Sequence, residues 1–305
     1  MKGSNVVILL SFLTIVLALM AAAAGLLWPD SGYSFSFTTV QGQVIQIYGH
    51  GLYRFDTPMI ATAFKMADVI TLVFVIPLSV IALLRYGCGS LRGGILLAGT
   101  LAYFLYDYSV RAFGATYNNF LLFYVAILAL SLFALVMTLM SFDVSILPAH
   151  FSSGLPHRGI GIFLIVAGSA LLLTRLTFSI IPAILQGQAP PDMWSNATVI
   201  TLVIDMGITA PVLIVTGAML LQRHSMSYLL ASTLLVFTVL LGINLTASSV
   251  AQIMAGLIGI GQFIEMSLAF LILTLFAIGF TGVMFCKLKA ATAITQLATG
   301  QPIRA

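Results

Sequence analysis

Eight stretches of this chain are long and apolar enough to cross a lipid bilayer, and this feature constrains the fold more than any motif does. Each crossing needs about 20 residues, so spans and short connections use nearly all of the 305 residues. Only 7% of the residues are charged, whereas a soluble domain carries roughly a quarter. The sequence therefore predicts an all-α polytopic membrane protein with a single integral domain over residues 1–305. The predicted spans are residues 5–28, 67–84, 93–112, 120–140, 160–181, 199–221, 228–248 and 263–285.

The first apolar stretch has two interpretations. Lys2, the apolar run and the small residues from Ala21 to Gly25 together are typical of a cleavable signal peptide. The run from Val6 to Leu27 is longer than the core of such a peptide, which has about 7 to 15 residues. Because the run also suffices for a full crossing, a retained span is the favoured interpretation.

Residues 29–66 form the one long connection between predicted spans, and they are expected to form an extracytoplasmic loop. Tyr33, Phe35 and Phe37 alternate with serine, and a second apolar run, 44–47, follows after a short polar segment. Alternation with a period of two on both sides of a turn indicates a β-hairpin. The sequence therefore predicts a small folded hairpin within this loop.

The basic residues predict the orientation of the chain in the membrane. With both termini in the cytoplasm, only Arg54 and Lys65 fall in outer loops. This distribution follows the positive-inside rule, and it favours a plasma or inner membrane protein with both termini cytoplasmic. It also explains the net charge of +4 without an acidic partner, and nucleic-acid binding is not expected. The basic residues assigned to the inner side are Lys2, Arg85, Arg92, Arg158, Arg223, Lys287, Lys289 and Arg304.

Six ionisable residues within the predicted spans lie near one level, in the outer half of the membrane. Charge inside a spanning helix is costly, and it is usually kept for an ion or substrate path, a proton relay or a buried ion pair. We therefore take these residues as candidates for binding a ligand or an ion at an outward-facing polar cavity. They are Asp68, Asp107, Arg111, Arg175, Asp205 and Glu265.

Asp107 and Arg111 are expected to pair, because residues four apart share one face of a helix. Asp68, Arg111 and Glu265 lie close enough to the predicted interface to extend their polar groups to water. Asp205 is the deepest of the acids, about 12 Å below the start of its span. It is expected to face the interior and to pair with Arg175 or a neighbouring polar group. Two roles stay open for it: a carboxylate that binds a proton or cation, or a structural ion pair.

A weak internal repeat accompanies these charges. The second span carries Asp68, Pro77 and Arg85, and the sixth carries an aspartate, a proline and an arginine at similar spacing. Two four-helix halves would explain the similarity, as in transporters with parallel repeats. Chance recurrence in helices that are built for the same bilayer would explain it equally well.

Aromatic and glycine residues near the outer ends of spans have structural interpretations. Four tyrosines are expected to belong to an interfacial aromatic belt, with a ligand site as the less favoured alternative: Tyr103, Tyr106, Tyr108 and Tyr117. The run from Gly256 to Gly261 is expected to form a close helix contact or a re-entrant segment.

Three functions are compatible with this sequence. The span prolines, the repeat and Asp205 favour a secondary transporter or ion-coupled carrier of a small solute. A non-catalytic membrane subunit or sensor that binds a membrane-protein partner or ligand through its outer loop is the first alternative. A membrane enzyme acting on a lipid-linked substrate is the second, although no catalytic motif is visible. No cofactor or metal is expected.

Overall fold

The computed structural model describes residues 4–39, 42–152, 154–187, 190 and 199–288, except for the side chains of Gln262, Glu265 and Met266. Glu265 is thus a predicted site residue whose side chain lies outside the described part. Lys2, Lys289 and Arg304, which contribute to the predicted orientation, also lie outside it.

Eight long helices of alternating direction make up most of the described chain, with one 3-10 turn at Leu147–His150. Seven of them are long and apolar enough to cross a membrane, among the residues described. The exception, α3, has 24 residues and carries Arg92, Asp107 and Arg111. These features agree with the predicted all-α membrane protein. The helices are α1 Asn5–Leu27, α2 Pro58–Gly87, α3 Leu91–Gly114, α4 Leu121–Met140, α5 His157–Gln186, α6 Ile200–Leu221, α7 Ser225–Met254 and α8 Ile260–Lys287.

Two helices extend well beyond their predicted spans on the side where the long loop lies. α2 begins at Pro58 rather than at residue 67, and the side chain of Thr57 caps it by accepting a hydrogen bond from the amide of Ile60. α7 reaches Met254 rather than residue 248. Polar residues lower the hydropathy of both extensions, but they do not interrupt the helix. The long loop is consequently shorter than predicted.

The predicted β-hairpin is confirmed. Its strands are β1 Phe35–Thr38 and β2 Val44–Ile47, which pair antiparallel with Phe35 opposite Ile47. We call the end of the bundle that carries this sheet the hairpin side. The ends of α1, α3, α5 and α7 and the beginnings of α2, α4, α6 and α8 lie there.

Three helices contain a π turn two residues before a proline. The turns are Thr71–Val75, Leu176–Ile180 and Asp205–Thr209, and they precede Pro77, Pro182 and Pro211. In each, the amide directly before the proline donates to the carbonyl five residues back. Proline lacks an amide hydrogen, and its ring clashes with the carbonyl four residues earlier. A π turn widens the helix at that point, and such turns often occur at functional sites.

The helix α3 lies at the centre of the bundle and packs against α2, α4 and α7. Gly99 allows α3 to cross α7 closely. A Cβ at this position would clash with Val236 of α7. α1 also belongs to the bundle: it packs on α2 and α4, and residues such as Val7 and Ala22 are fully buried. α5 packs closely on α6, and α7 on α8.

The glycine run between α7 and α8 does not form a close contact with another described helix, which was one of its two predicted roles. Cβ atoms at Gly256, Gly259 and Gly261 would meet no described atom within 4 Å. Gly256 instead has a φ of 69° just beyond the end of α7, a conformation that glycine adopts without strain.

We predict that Gly99→Ala destabilises the protein by about 1–3 kcal/mol, the usual cost of overpacking. Gly279→Ala is the matched control, because its position in α8 has open space for a methyl group. Alanine favours helix, so this control is expected to be neutral or slightly stabilising. Thermal unfolding in detergent measures both, and equal loss in the two variants would contradict the close crossing at Gly99.

Candidate functional site

Arg111 is the centre of a buried charge cluster in the hairpin half of the bundle. Its Nε donates to Asp107 Oδ2 at 2.9 Å, and its Nη2 lies 3.0 Å from Asp68 Oδ1. The hydroxyl of Tyr53, from the loop before α2, accepts a hydrogen bond from Nη1 and donates one to Asp68 Oδ2 at 2.7 Å. Nη2 also donates to the carbonyl of Phe64 at 3.3 Å. We call Arg111, Asp107, Asp68 and Tyr53 the Arg111 cluster.

Aromatic rings surround this guanidinium. It lies 4.9 Å from the ring centre of Phe64 and 5.5 Å from that of Tyr108. Such contacts stabilise a cation that has left water. Tyr108 and Tyr103 are only 1% and 0% exposed, so they belong to the interior. For these two tyrosines the expectation of an interfacial belt is wrong.

The expected access of Arg111 and Asp68 to water is also wrong. Arg111 is 1% exposed and Asp68 is 0% exposed, so Asp68 is at least as deeply buried as Asp205. The reason is the early start of α2 together with the loop that precedes it. Leu52 and Tyr53 of that loop are buried against the helix ends and cover the cluster.

The Arg111 cluster holds one formal positive charge and two negative charges. Asp68 Oδ2 accepts a hydrogen bond from Tyr53, whereas Asp68 Oδ1 lies 3.0 Å from Arg111 Nη2 but has no hydrogen-bond partner among the described residues. Asp107 accepts a hydrogen bond from Arg111 through Oδ2, and no donor within the cluster reaches its Oδ1. Asp107 is nonetheless only 5% exposed. An unmatched carboxylate charge in such surroundings is costly, so this oxygen is a natural position for a proton or a cation.

Asp205 forms a second cluster with partners from two other helices. Arg175 of α5 donates to Oδ2 from Nε at 3.1 Å and from Nη2 at 2.7 Å. Tyr106 of α3 donates to Oδ1 at 2.8 Å. The structure thus brings Asp205 and Arg175 together, as expected, and adds Tyr106, which the sequence did not single out as a partner. Since both carboxylate oxygens have donors, Asp205 has less need of a further cation than Asp107 has.

Two adjoining cavities separate the clusters. The Asp107 cavity, of about 260 Å³, lies between α2, α3, α6 and α7. The Asp205 cavity, of about 330 Å³, is lined by Asp205 and Arg175 and lies mainly between α5, α6, α7 and α8. Both linings are mostly apolar. The residues that line both cavities are Met59, Tyr106, Leu241, Leu245, Ser249 and Gln252.

Among the polar residues of α7 in these walls, the sequence pointed to Asn244 as suited to a polar cavity, but Ser248 and Gln252 were not predicted. Asn244, Ser248 and Gln252 recur every four residues, so they share one face of α7. This spacing of polar residues in an otherwise apolar helix was the available signal. Glu265 lies within α8, and its side chain is outside the described part of the structure.

Asp56 connects the loop that covers the Arg111 cluster to the segment that follows α3. Its Oδ1 accepts a hydrogen bond of 2.8 Å from the amide of Thr116, just beyond α3, and its Oδ2 has no hydrogen-bond partner among the described residues. Asp56 is 1% exposed. Burial raises the pKa of Asp56 from 3.8 to about 6, although the hydrogen bonds from Thr116 and the charge of Arg111 oppose this rise.

Comparison of the chain with protein-family models, with curated proteins and with solved structures finds no match.

The two partners of the expected Asp107–Arg111 pair should contribute unequally to stability. We predict that Arg111→Met costs about 3–5 kcal/mol, because it leaves Asp68 and Asp107 buried without a cation. Asp107→Asn should cost about 1 kcal/mol or less, since Arg111 keeps Asp68 and the surplus charge disappears. Thermal unfolding of the two single variants and of the double variant measures these losses of stability. Equal losses from the two single variants would refute the shared role of Asp68.

Because the pKa of Asp56 is raised in the folded protein, we predict that the stability of the protein depends on pH. The contribution of Asp56 to stability is present in full below 3.8, the pKa of the unfolded chain, and is lost as the pH rises through about 6. Asp56→Asn stays neutral and keeps the acceptor for Thr116, so it should stabilise the protein near neutral pH by up to about 3 kcal/mol. Unfolding temperatures between about pH 4 and pH 8 test this. Asp143→Asn, in an exposed loop, is the control, and an unchanged pH slope in Asp56→Asn would disprove the assignment.

Proposed function

We propose that the protein is an ion-coupled secondary carrier with eight transmembrane helices and both termini in the cytoplasm of a plasma or inner membrane. The eighth span is α3, whose Arg111 pairs with Asp107 of the same helix and with Asp68 of α2. The alternating directions of the eight helices support this count. The hairpin side is then extracytoplasmic, and the five described arginine and lysine residues of the opposite side face the cytoplasm. These are Arg85, Arg92, Arg158, Arg223 and Lys287.

The packing of the helices supports two related halves, α1–α4 and α5–α8. Within each half the first helix packs on the second and the third packs on the fourth. Between the halves, α3 packs on its counterpart α7. α2 also contacts α7, and its counterpart α6 contacts α3. A pseudo-twofold axis that exchanges the two halves would relate these last two contacts. When α2 and α6 are superposed on their π turns and prolines, Thr71 corresponds to Asp205, and Asp68 does not. The similar aspartate spacing noted in the sequence is therefore offset by one helical turn.

The central helices carry corresponding polar pairs under this symmetry. Asp107 and Arg111 lie 8 and 12 residues beyond Gly99, and Asn244 and Ser248 lie 8 and 12 residues beyond Val236. The Oγ of Ser248 lies 3.3 Å from Asn244 Oδ1, so this pair also interacts. One half thus carries a charged pair and the other a neutral pair.

The observation that carries the proposal is the unmatched Oδ1 of Asp107 in the wall of a cavity. A carboxylate that can gain or lose one positive charge inside the membrane can couple that charge to binding of a solute. The three π turns give α2, α5 and α6 points at which their halves can move. Asp205, by contrast, is assigned to fixing α6 against α5 and α3.

A second candidate is a binding or accessory subunit, and the hairpin favours it. Phe35 and Phe37 on one face of the sheet are 40% and 47% exposed, and Tyr33 is 78% exposed. Exposed apolar side chains of this kind are common in surfaces that bind another protein. Such a subunit needs access to its cavity from one side of the membrane alone, whereas a carrier needs access from both.

We predict that a cysteine in the wall shared by the cavities is labelled from both sides of the membrane. Ser249→Cys, in a protein with Cys88→Ser and Cys286→Ser, is suitable because Ser249 lines both cavities. An impermeant thiol reagent is applied to intact cells or to inverted membrane vesicles. A carrier exposes this cysteine in both preparations, since its halves alternate.

Two controls fix the sidedness of this experiment. Ser36→Cys on the hairpin should react in intact cells, whereas the native Cys88, retained in a Cys286→Ser protein, should react in inverted vesicles. Reversed reactivity of these two would overturn the orientation. Reaction of Ser249→Cys from the hairpin side alone would refute the carrier and favour the binding subunit.

A further inference from the structure

We infer that the Asp107 cavity binds a monovalent organic cation, an ammonium group on a compact apolar body. This inference rests on the proposed carrier function, because it names the class of solute that the same cavity takes. Asp107 is the one charged side chain among the described residues that line the cavity.

The chemistry of the cluster selects a cation over an anion. All three nitrogens of the Arg111 guanidinium already have partners within the cluster or in the backbone of α2, and Arg111 does not line the cavity. An anion would meet the unpaired oxygen of Asp107. A single positive charge at that oxygen would balance the two carboxylates of the cluster and supply the missing hydrogen bond.

The rest of the cavity fits an apolar body. Apart from Asp107 and Tyr106, polar groups are concentrated on α7, where Asn244 and Ser248 can accept further hydrogen bonds from an ammonium group. The opposite wall is apolar and includes the ring of Phe64, whose face favours cations. A cavity of 260 Å³ is large enough for one aromatic ring with a short chain. The main apolar contributors are Met59, Ile60, Ala63, Phe64, Val110 and Leu241.

Binding at Asp107 is non-covalent, so no bond to carbon forms or breaks. The charged and titratable groups around Asp107 are Asp68 from α2, Tyr53 from the loop and, from α3, Tyr103, Tyr106, Tyr108 and Arg111. The described residues of α6 and α7 in this cavity are uncharged.

Calorimetric titration of the protein in lipid nanodiscs tests the inference with three probes of similar shape. Phenethylammonium, 2-phenylethanol and 3-phenylpropanoate carry positive, zero and negative charge, and empty nanodiscs correct for partition into lipid. We predict that the cation binds at least about tenfold more tightly than the other two, which corresponds to one charge-assisted hydrogen bond.

Three variants make the result specific. Asp107→Asn should weaken binding of phenethylammonium at least about tenfold, while Asp143→Asn on the opposite side should leave the affinity unchanged. Ala63→Phe fills the cavity and keeps every charge, so it should abolish binding even if Asp107→Asn folds poorly. Preference for the alcohol or the anion, binding of none of the probes, or cation binding that survives both Asp107→Asn and Ala63→Phe would overturn the inference.

Failure of this inference and failure of the carrier are distinguishable. If cysteine labelling finds access from both sides but no cation preference is seen, the carrier stands and this solute class is wrong. If the cation binds through Asp107 but access is limited to the hairpin side, the site stands as a receptor site and the carrier is wrong.

Discussion

The burial of one guanidinium organises the hairpin half of this protein. Arg111 is removed from water, and its charge must be matched by neighbouring groups because lipid offers no alternative. Its partners come from α2, from α3 itself and from the loop before α2. The constraint extends to α1, since a side chain at Gly25 would collide with Asp68. A single ion therefore fixes the mutual position of three helices and a loop.

The cluster around Asp205 contains the same residue types as the Arg111 cluster but differs from it in charge balance and in hydrogen bonding. Around Asp205 the hydrogen bonds are complete, with Arg175 on one oxygen and Tyr106 on the other. Around Arg111 the negative charges outnumber the positive one, and the surplus lies at a cavity wall. Tyr106 lines both cavities and donates a hydrogen bond to Asp205. A movement of α6 that displaces Asp205 would therefore change the wall of the Asp107 cavity. The π turn that begins at Asp205 is a natural position for such a movement.

Under the proposed symmetry, the two halves of the bundle differ in charge at corresponding positions. Corresponding positions of α3 and α7 carry Asp107 with Arg111 and Asn244 with Ser248, and three of these four residues line the Asp107 cavity. A symmetric pair of ionic sites would place twice the charge within the membrane. With one charged and one neutral pair, the cavity keeps a single carboxylate with an open oxygen.

The sequence alone determined the features that depend on local pattern. Apolar length predicted helices at all eight positions, alternation predicted the hairpin, and the spacing of four predicted the contact between Asp107 and Arg111. Similar depth in the membrane also led to the expected contact between Asp205 and Arg175. Each of these inferences needs only the geometry of one element or the distance of a residue along its helix.

Only the tertiary structure decided which helix faces meet. Helices in lipid are apolar on every side, so their sequences carry little information about the face that turns inward. For that reason Asp68 was not recognised as the second partner of Arg111, nor Tyr106 as a donor to Asp205. The depth estimate for Asp68 failed because it assumed water beyond the apolar stretch. In the fold, the first turns of α2 and the loop with Tyr53 occupy that space, and they enclose the charges that the sequence placed at the surface.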